Sequence, residues 1–524
     1  MEQHSIRSQD LRTHSHTRLT CLPFSTNRTS TDDNMDHRAT ISPGLPVANP
    51  TQSYWQNPPS DIADHRTTEA LPSSADYVVV GSGISGACVA YNLLLRRPTA
   101  RVVMLEARQA CSGATGRNGG HTKAASYRSF AAHERAHGAA EAVKIARLEH
   151  ANIKATHAFA REHGMDCESR PTDTVDVVLD QSHLEAGVAA IRHMQSLMRA
   201  DEGAARYEIH EAEEARRRFL TPNALGAFTY EAGSINAYKF AIGILKLCLK
   251  NGVNLQTSTP ATHISSLRSE ASPRTQSSCS DDAQINWVVE TSRGTINTAH
   301  LILATNGYTP HLLPKFQGVI VPLRGQVTAH RPGSNMPTSG LPTTYSFIYA
   351  KGYDYMIPRP PGTEHAGDIV IGGALGKLPL EGASEFGETD DALLNPETSG
   401  FLREATAQYF GAQNWGQDHP DGRVRSEWTG IMGASADGLP YVGPVPGNEN
   451  LWMSASFNGH GMVLCLKCAE ALVELICGAE TPEWFPRSFL VREERLRTKF
   501  RGRLDMTAPE LPEVRGDTST EVSA

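Results

Sequence analysis

The chain has 524 residues, room for two or three domains of about 100–200 residues or for one large α/β core with an added lobe. Lys plus Arg is 49 against 57 Asp plus Glu, a net charge of −8 with no basic run, which argues against a protein that tracks nucleic-acid phosphates. The 39% apolar content supplies a sizeable core, and 44 glycines with 31 prolines imply many turns and close backbone approaches.

Residues 1–74 contain no lysine and no apolar period, and read as a disordered or loosely wrapped extension, within which 45–55 has the aromatic and proline character to dock on a folded body. At Ala75 the texture changes. Tyr77, Val78, Val79 and Val80 form a buried-type strand, 87–95 has helical spacing, and 101–105 is a second strand, together a βαβ unit of about 30 residues. Helical periodicity recurs over 134–165 and 183–199, with a strand at 173–179 between them. An amphipathic helix at 236–250 ends at Asn251 and Gly252, and strands follow at 253–257, 287–291 and 298–304, around a polar surface loop at 268–284. Strands and turns dominate 319–373, a mostly antiparallel lobe. The last helix, 461–477, closes at Gly478, and the chain is loose again after 500.

Nine cysteines (Cys21, Cys88, Cys111, Cys167, Cys248, Cys279, Cys465, Cys468, Cys477) form no even framework, and an odd number leaves one unpaired, so an intracellular, cytoplasmic setting is expected. Arg7, Arg12, Arg18 and Arg28 make mitochondrial import the lesser alternative, with Asp10, Asp32 and Asp33 against it. No apolar h-region opens the chain and no stretch reaches the ~20 apolar residues of a membrane span. Cys465 and Cys468 have redox-pair spacing, but they lie in an apolar helix and lack a second ligand pair, so core packing is expected and no metal.

Gly81, Gly83 and Gly86 stand directly after the first strand and open the helix. The first makes the tight turn, the second lets backbone approach a pyrophosphate, and the third lets helix and strand pack closely. Twenty residues after Gly86, Glu106 ends the second strand, where a carboxylate accepts ribose hydroxyls. A glycine triplet alone fits any tight strand–helix turn; strand, helix and distant acid together point to a dinucleotide. Ala107 and Arg108 follow, and then a stretch in which Gly113, Ala114, Gly116, Gly119 and Gly120 would let backbone lie against a flat ring, with Thr115, Arg117 and Asn118 as donors. A flexible surface turn is the alternative. No second glycine triplet is present, which disfavours an enzyme that binds NAD(P)H as well.

With these residues the sequence resembles the FAD-dependent oxidoreductases of the D-amino-acid oxidase, glycine oxidase and sarcosine oxidase superfamily, and within it the branch of gamma-glutamylputrescine oxidase and its fungal relatives. The likeness runs over about 45–490. It rests on the glycine triplet, LEAR at 105–108, GATGRNGG at 113–120, AGSIN at 232–236, ATNGY at 304–308, PLRGQ at 322–326, WTG at 428–430, DGLPYVGP at 437–444 and NGHGM at 458–462. The implied fold class is α/β, α+β overall: a Rossmann-type FAD-binding domain with a mixed-sheet substrate lobe. The unit would span 75–500, with FAD-binding parts at about 75–130, 235–310 and 425–480, a substrate lobe at about 165–235 and 311–424, and a loose tail at 501–524.

The resemblance implies FAD held by Gly81, Ser82, Gly83, Ser85, Gly86, Glu106, Ala107, Arg108, Gly113, Thr115, Arg117, Asn118 and Gly119. Further along, it adds Ala261, Ala304, Thr305, Gly307, Gly430, Asp437, Asn458, Gly459, His460, Gly461 and Met462. Non-covalent binding is the default: no Cys lies between 280 and 464, Arg117 stands where a related branch carries its linking His, and His121 is the outside candidate. Candidate catalytic residues are Arg117, His121, Arg324, Tyr355 and His460. Arg324 can equally hold two strands together, and His460 can be a cap. Tyr345, Tyr349, Tyr353 and Tyr355 divide evenly between packing and pocket, with alternation placing Tyr353 and Tyr355 on one sheet face.

The implied activity is oxidation of a C–N bond in an amine or amino acid: hydride to flavin N5, hydrolysis of the imine, and reoxidation by O2 to hydrogen peroxide. Partners would be that small molecule and O2, with no nucleic acid and no membrane. No dedicated acid or base is required if the amine binds deprotonated. The alternatives are a tailoring oxidase or dehydrogenase of a fungal secondary-metabolite pathway, acting on a peptide-derived or alkaloid intermediate, and a non-catalytic flavin-binding protein.

Overall fold

The computed structural model describes residues 29–199, 201–267 and 286–502; the loop expected at 268–284, the start of the chain and the tail from 503 lie outside the described residues. Helix α1 (Thr29–Thr40) precedes the βαβ unit, which is β1 (Ser74–Val80), α2 (Ile84–Arg96) and β2 (Val102–Leu105). Next come β3 (His121–Thr122), α3 (Tyr127–His137), α4 (Ala139–Glu162), β4 (Arg170–Val178), α5 (Gln181–Leu197), β5 (Tyr207–Glu211), α6 (Ala212–Arg218) and β6 (Gly226–Ser234). The chain returns through α7 (Ala237–Lys250), β7 (Asn254–Gln256), β8 (Ala261–Ser266), β9 (Trp287–Thr291), β10 (Gly294–Leu303) and α8 (Thr309–Leu312). It then crosses to β11 (Ile320–His330), β12 (Thr344–Tyr349), β13 (Gly352–Pro358), β14 (Ile369–Gly372), α9 (Pro396–Trp415) and β15 (Val424–Ser435), and continues through β16 (Tyr441–Pro444), β17 (Leu451–Ala455) and α10 (Cys465–Ile476) to the short α11 (Glu493–Leu496).

The first sheet runs β16-β17-β10-β1-β2-β7, with β8 and β9 attached beyond β10. β17, β10, β1, β2 and β7 are parallel along this path. Parallel strands are covered on both faces, which is why β1 and β2 read as unbroken apolar runs. Val79 packs with the layer of α2, α7 and α10, while Val78 and Val80 pack on the opposite face with Leu301 and Leu303. Cys88, Cys248, Cys465 and Cys468 sit together in the first of these layers, buried and free. Helix α10 is stopped as expected by Gly478 at φ +85, though it is not the last helix as the sequence implied. It starts later than expected, because Gly461–Val463 form a separate 3-10 turn before it.

The second sheet runs β15-β11-β14-β13-β12-β4-β6-β3, with β5 beyond β6. Its described pairs are antiparallel apart from β4 with β12. Residues 425–435 belong to an edge strand of this sheet: β15 pairs with β11 from Ser435 opposite Ile320 to Val424 opposite His330.

Within the extension up to residue 74, the stretch 45–55 docks on the folded body as its aromatic and proline character implied, and the packing extends to either side of it, which the loose-extension reading did not include. Trp55, Ile62 and Ala63 are buried, and Met35 and Ala39 of α1 pack with Val321, Phe386 and Phe500. Ser53 Oγ donates to the Gly116 carbonyl (2.7 Å), Trp55 Nε1–H to the Asn118 carbonyl (2.6 Å) and Thr51 N–H to the Asp391 carbonyl (2.7 Å). This segment is fastened through backbone groups and needs no apolar period, so periodicity did not reveal it.

Candidate cofactor and substrate site

The strand–turn–helix at Gly81 is closed by contacts that only glycine permits. Gly81 has φ +108 and a Cβ there would lie 2.6 Å from the Ala304 carbonyl oxygen; at Gly86 a Cβ would lie 1.9 Å from the Gly81 oxygen. Gly83 is the N-cap of α2 and offers no capping side chain, and the Ile84 N–H is taken by Thr115 Oγ1 at 3.0 Å. Thr115 thereby ties the 113–119 loop to the positive end of the helix. At the end of β2, Glu106 Oε2 accepts from Ser82 N–H (3.0 Å) and Ser82 Oγ (2.6 Å), and Oε1 accepts from Arg108 N–H (3.0 Å).

A cavity of about 680 Å³ runs from this turn into the space between the two sheets. Gly81, Gly83, Ser85, Glu106, Ala107, Arg108, Gly113, Thr115, Arg117, Asn118, Gly119 and Ala261 line it, as do Ala304, Thr305, Gly430, Asn458, Gly459, His460, Gly461 and Met462. The volume falls in the range of about 300–1,000 Å³ usual for cofactor and substrate pockets. The donors suit FAD: a helix N-terminus for the pyrophosphate, a fixed carboxylate for the ribose, and small residues against a ring, with open space where a Cβ of Gly113 would stand.

Five expected residues do not line it. Ser82 turns to Glu106 and to the Cys111 N–H (2.8 Å), so it orients the carboxylate. Gly86 and Gly307 serve close packing; a Cβ at Gly307 would lie 2.4 Å from the Met432 oxygen. Asp437 is paired with Arg495 (2.7 Å) and holds the 487–497 segment. Arg324 is a correction to the catalytic set. Leu323 and Gly325 face the cavity, and the period of two points Arg324 the other way, into an ion pair with Glu385 (2.7 Å) and a bond to the Asp390 carbonyl (3.1 Å).

Arg117 is a second correction. Its aliphatic stem borders the cavity, but its guanidinium, 3% exposed, donates to the carbonyls of Ser112 (2.9 Å), Thr429 (2.8 Å) and Thr51 (2.7 Å). Burial pulls its pKa down to about 10 although Asp391 lies 3.6 Å away. It is a pin between three stretches of chain, with no donor aimed at a substrate.

His121, Tyr355 and His460 line the cavity. Burial, reinforced by Lys123, holds His121 well below the usual imidazole range, so the ring is neutral; its Nε2 lies 2.6 Å from Thr344 Oγ1. Tyr353 and Tyr355 share the cavity face as alternation required, whereas Tyr345 packs with Phe347 and Phe410 on the other. Gly119 leaves room for Tyr355, whose ring would lie 2.6 Å from a Cβ there. His460 Nδ1 lies 3.0 Å from the Asn458 carbonyl, in a turn where Asn458 and Gly459 have φ +52 and +79.

The sequence reading missed the polar cluster at the substrate end. Lys123 and Arg128 both line the cavity and both pair with Asp176, which also accepts from Tyr127 (2.7 Å). Their side chains are 6%, 8% and 0% exposed. Burial opposes charge on Asp176, yet Arg128 and Lys123 hold its carboxyl well below the usual range. Burial also draws Lys123 down to about 7, against the pull of Asp176. Arg128 stacks over Tyr353 at 4.5 Å. A lysine and an arginine near a helix start carry no signal by themselves; Asp176, from a strand 48 residues on, is what gathers them.

A protein-family model described as FAD dependent oxidoreductase (DAO) matches residues 76–475. The chain belongs to that family. It is thus an FAD-dependent oxidoreductase with a mixed α/β fold. A glycine oxidase of Pseudomonas aeruginosa is 28% identical over 194 residues, 37% of this chain and 45% of that protein, so the match spans under half of that relative's length. A probable oxidoreductase of Rhizobium meliloti is 23% identical over 447 residues, 82% of this chain and 91% of that one. Among solved structures, glycine oxidase from Geobacillus kaustophilus superposes with TM-score 0.61 at 18% identity, covering 80% of this chain and 99% of that chain. Among the described residues of this oxidoreductase, no helix is long and apolar enough to cross a membrane.

Proposed function

We propose that this FAD-dependent oxidoreductase oxidises the C–N bond of a small amino acid or carboxylate-bearing amine, with O2 as final acceptor and hydrogen peroxide as product. The observation that carries the reading is the buried Lys123–Arg128 pair, two cationic side chains that share one carboxylate and border the cavity. A substrate carboxylate supplies the second anion and is held by charge-assisted bonds. When bound, FAD supplies the two-electron acceptor for the substrate's hydride. The chain's own work is to hold the substrate by its carboxylate, turn its C–H bond toward the glycine-lined side of the cavity and exclude water. Amines with an amide-linked carboxylate, the type that the likeness to gamma-glutamylputrescine oxidase implies, and larger peptide-derived amines fit the same requirement.

Two measurements test this. In the first, the holoenzyme is mixed anaerobically with a panel of amino acids, amines and amide-bearing amines, and flavin bleaching is followed, with peroxide assayed when air is readmitted; a flavin that no member bleaches refutes the reading. In the second, binding of an unreactive carboxylate is titrated against pH. Lys123, at about 7, must be protonated to receive the anion, so affinity is expected to fall as pH rises above 7, and methionine at Lys123 to flatten the profile.

A further inference from the structure

Three carboxylates border the cavity: Glu106, Glu149 and Glu381. Glu106 is engaged at the end of β2, and Glu381 is an exposed rim residue paired with Lys351. Glu149 is different. It lies on α4, is 5% exposed, and accepts one hydrogen bond, from Ser126 Oγ to Oε2 at 2.5 Å. Its Oε1 has no hydrogen-bond partner among the described residues.

The surroundings place this oxygen near the reacting end. One turn along α4, Asn152 donates to the Met462 carbonyl (3.2 Å) and accepts from the Lys467 N–H (2.9 Å), which locks the helix against the stretch containing 458–462. Ser126 follows directly on Ala124 and Ala125, which line the cavity between Lys123 and Arg128. Glu149 is therefore held between the chain that supplies the cationic pair and the turn at His460.

We propose that Glu149 accepts the ammonium proton of the bound amine. The N–H bond breaks, the proton passes to Glu149 Oε1, and the electron pair stays on nitrogen, which is left neutral and able to support departure of hydride from the adjacent carbon. The inference rests on the amine or amino-acid reading above and changes one of its terms: the amine need not arrive deprotonated.

The energetics agree with the placement. Burial, eased by the Ser126 bond, pushes the Glu149 carboxyl up to about 7, so both forms are present near neutrality, where a general base is most useful. Loss of water and the nearby Lys123 and Arg128 lower the ammonium group's own pKa, which narrows the gap between donor and acceptor. Of the groups on elements packed against α4, His133, His183, His460 and Cys465 border the same cavity as that pair, while Tyr207, Tyr230, His150 and Glu231 border a small recess behind Ser126. Burial with His137 and His460 draws His133 down to about 4, so it is neutral over the range in which Glu149 titrates.

The test is the limiting rate of anaerobic flavin reduction in the holoenzyme at saturating substrate, measured against pH. The wild type is expected to rise through about pH 7 and level off. Glu149→Gln is expected to be slower by about 10²-fold or more at neutral pH, with its limb displaced upward to the pKa of the bound amine. Its carboxylate-inhibitor profile, set by Lys123, stays in place. Ser126→Ala removes a bond that favours the ionised carboxyl and is expected to move the wild-type limb upward. Thermal unfolding gives a readout independent of turnover: the offset between Glu149→Gln and wild type is expected to be constant below about pH 4.5, to shift in the variant's favour between about pH 4.5 and 7, and to level off above 7. Flavin reduction with the wild-type limb intact in Glu149→Gln overturns this proposal alone, as does a melting difference that does not change with pH. A flavin reduced by none of the amines overturns the amine reading, and this inference with it.

Discussion

Replacing Arg117 by alanine separates two roles that the sequence left joined. A guanidinium that grips substrate would, when removed, cost turnover and leave the fold alone. The structure gives the opposite ranking, because the side chain donates to the Ser112, Thr429 and Thr51 carbonyls and to Thr51 Oγ1 at 2.7 to 3.2 Å while 3% exposed. A bond from a charged donor contributes about 1.5–3 kcal/mol, but the bonds share one side chain and do not add. Asp391 keeps Arg108 at 2.9 Å, so no carboxylate is stranded. The cost is the desolvated carbonyls together with the space left behind, about 3–5 kcal/mol, the scale for breaking a buried charged contact. The 113–119 loop and residues 51–55 then lose a common anchor, so FAD affinity is expected to fall with stability. The assay is thermal melting with and without added FAD, a flavin-binding titration, and the bleaching rate per bound flavin. Wild-type melting and flavin affinity combined with a large loss of bleaching rate would refute the pin and restore Arg117 to the substrate.

Alanine at Gly86 sets a Cβ 1.9 Å from the Gly81 oxygen, a backbone atom that cannot swing aside; α2 must shift away from β1, at a cost of at least about 1–3 kcal/mol. Purification of a colourless or weakly yellow protein checks it, and a fully loaded variant would contradict it. The pH dependence of stability follows from groups that burial perturbs. His157 and His330 are held at about 4 and about 3, so the unfolded chain takes up their protons first; their contribution is present above pH 6.5 and lost as pH falls toward those values. For His157, 4% exposed and bonded on both nitrogens, the shift corresponds to about 3 kcal/mol. Glu149 runs the other way: its raised carboxyl favours the fold at low pH, and that part is lost as pH rises through about 7. Denaturant unfolding at a series of pH values is expected to show a steep acid limb that His157→Gln makes shallower; an unchanged limb would remove His157 from the account.

What could be read from the sequence is what has a local cause. The apolar run of β1, the glycines at 81 and 86 and the acid at 106 each answer a steric or electrostatic demand of the βαβ unit, and at 81 and 86 a Cβ would stand only 2.6 and 1.9 Å from backbone oxygens. Period two likewise placed Tyr353 and Tyr355 on the cavity face, and the same rule, applied to Leu323 and Gly325, turns Arg324 away from it. That second use required knowing which face of β11 meets the cavity, a fact set by the pairing with β15 about 100 residues later. Arg117 and Arg128 show the limit most sharply. They are the same residue type, eleven positions apart, both buried and both near Asp residues supplied by distant strands or loops. One is consumed by carbonyls of three chain segments; the other shares its single carboxylate with Lys123 and so still presents positive charge to the cavity. Which arginine meets a substrate is thus decided by how many acceptors the rest of the fold has already brought to it, and a one-dimensional pattern does not contain that count. The same reasoning marks Glu149, a polar position on an otherwise ordinary helix, as the place where the fold supplies too few partners for a buried charge.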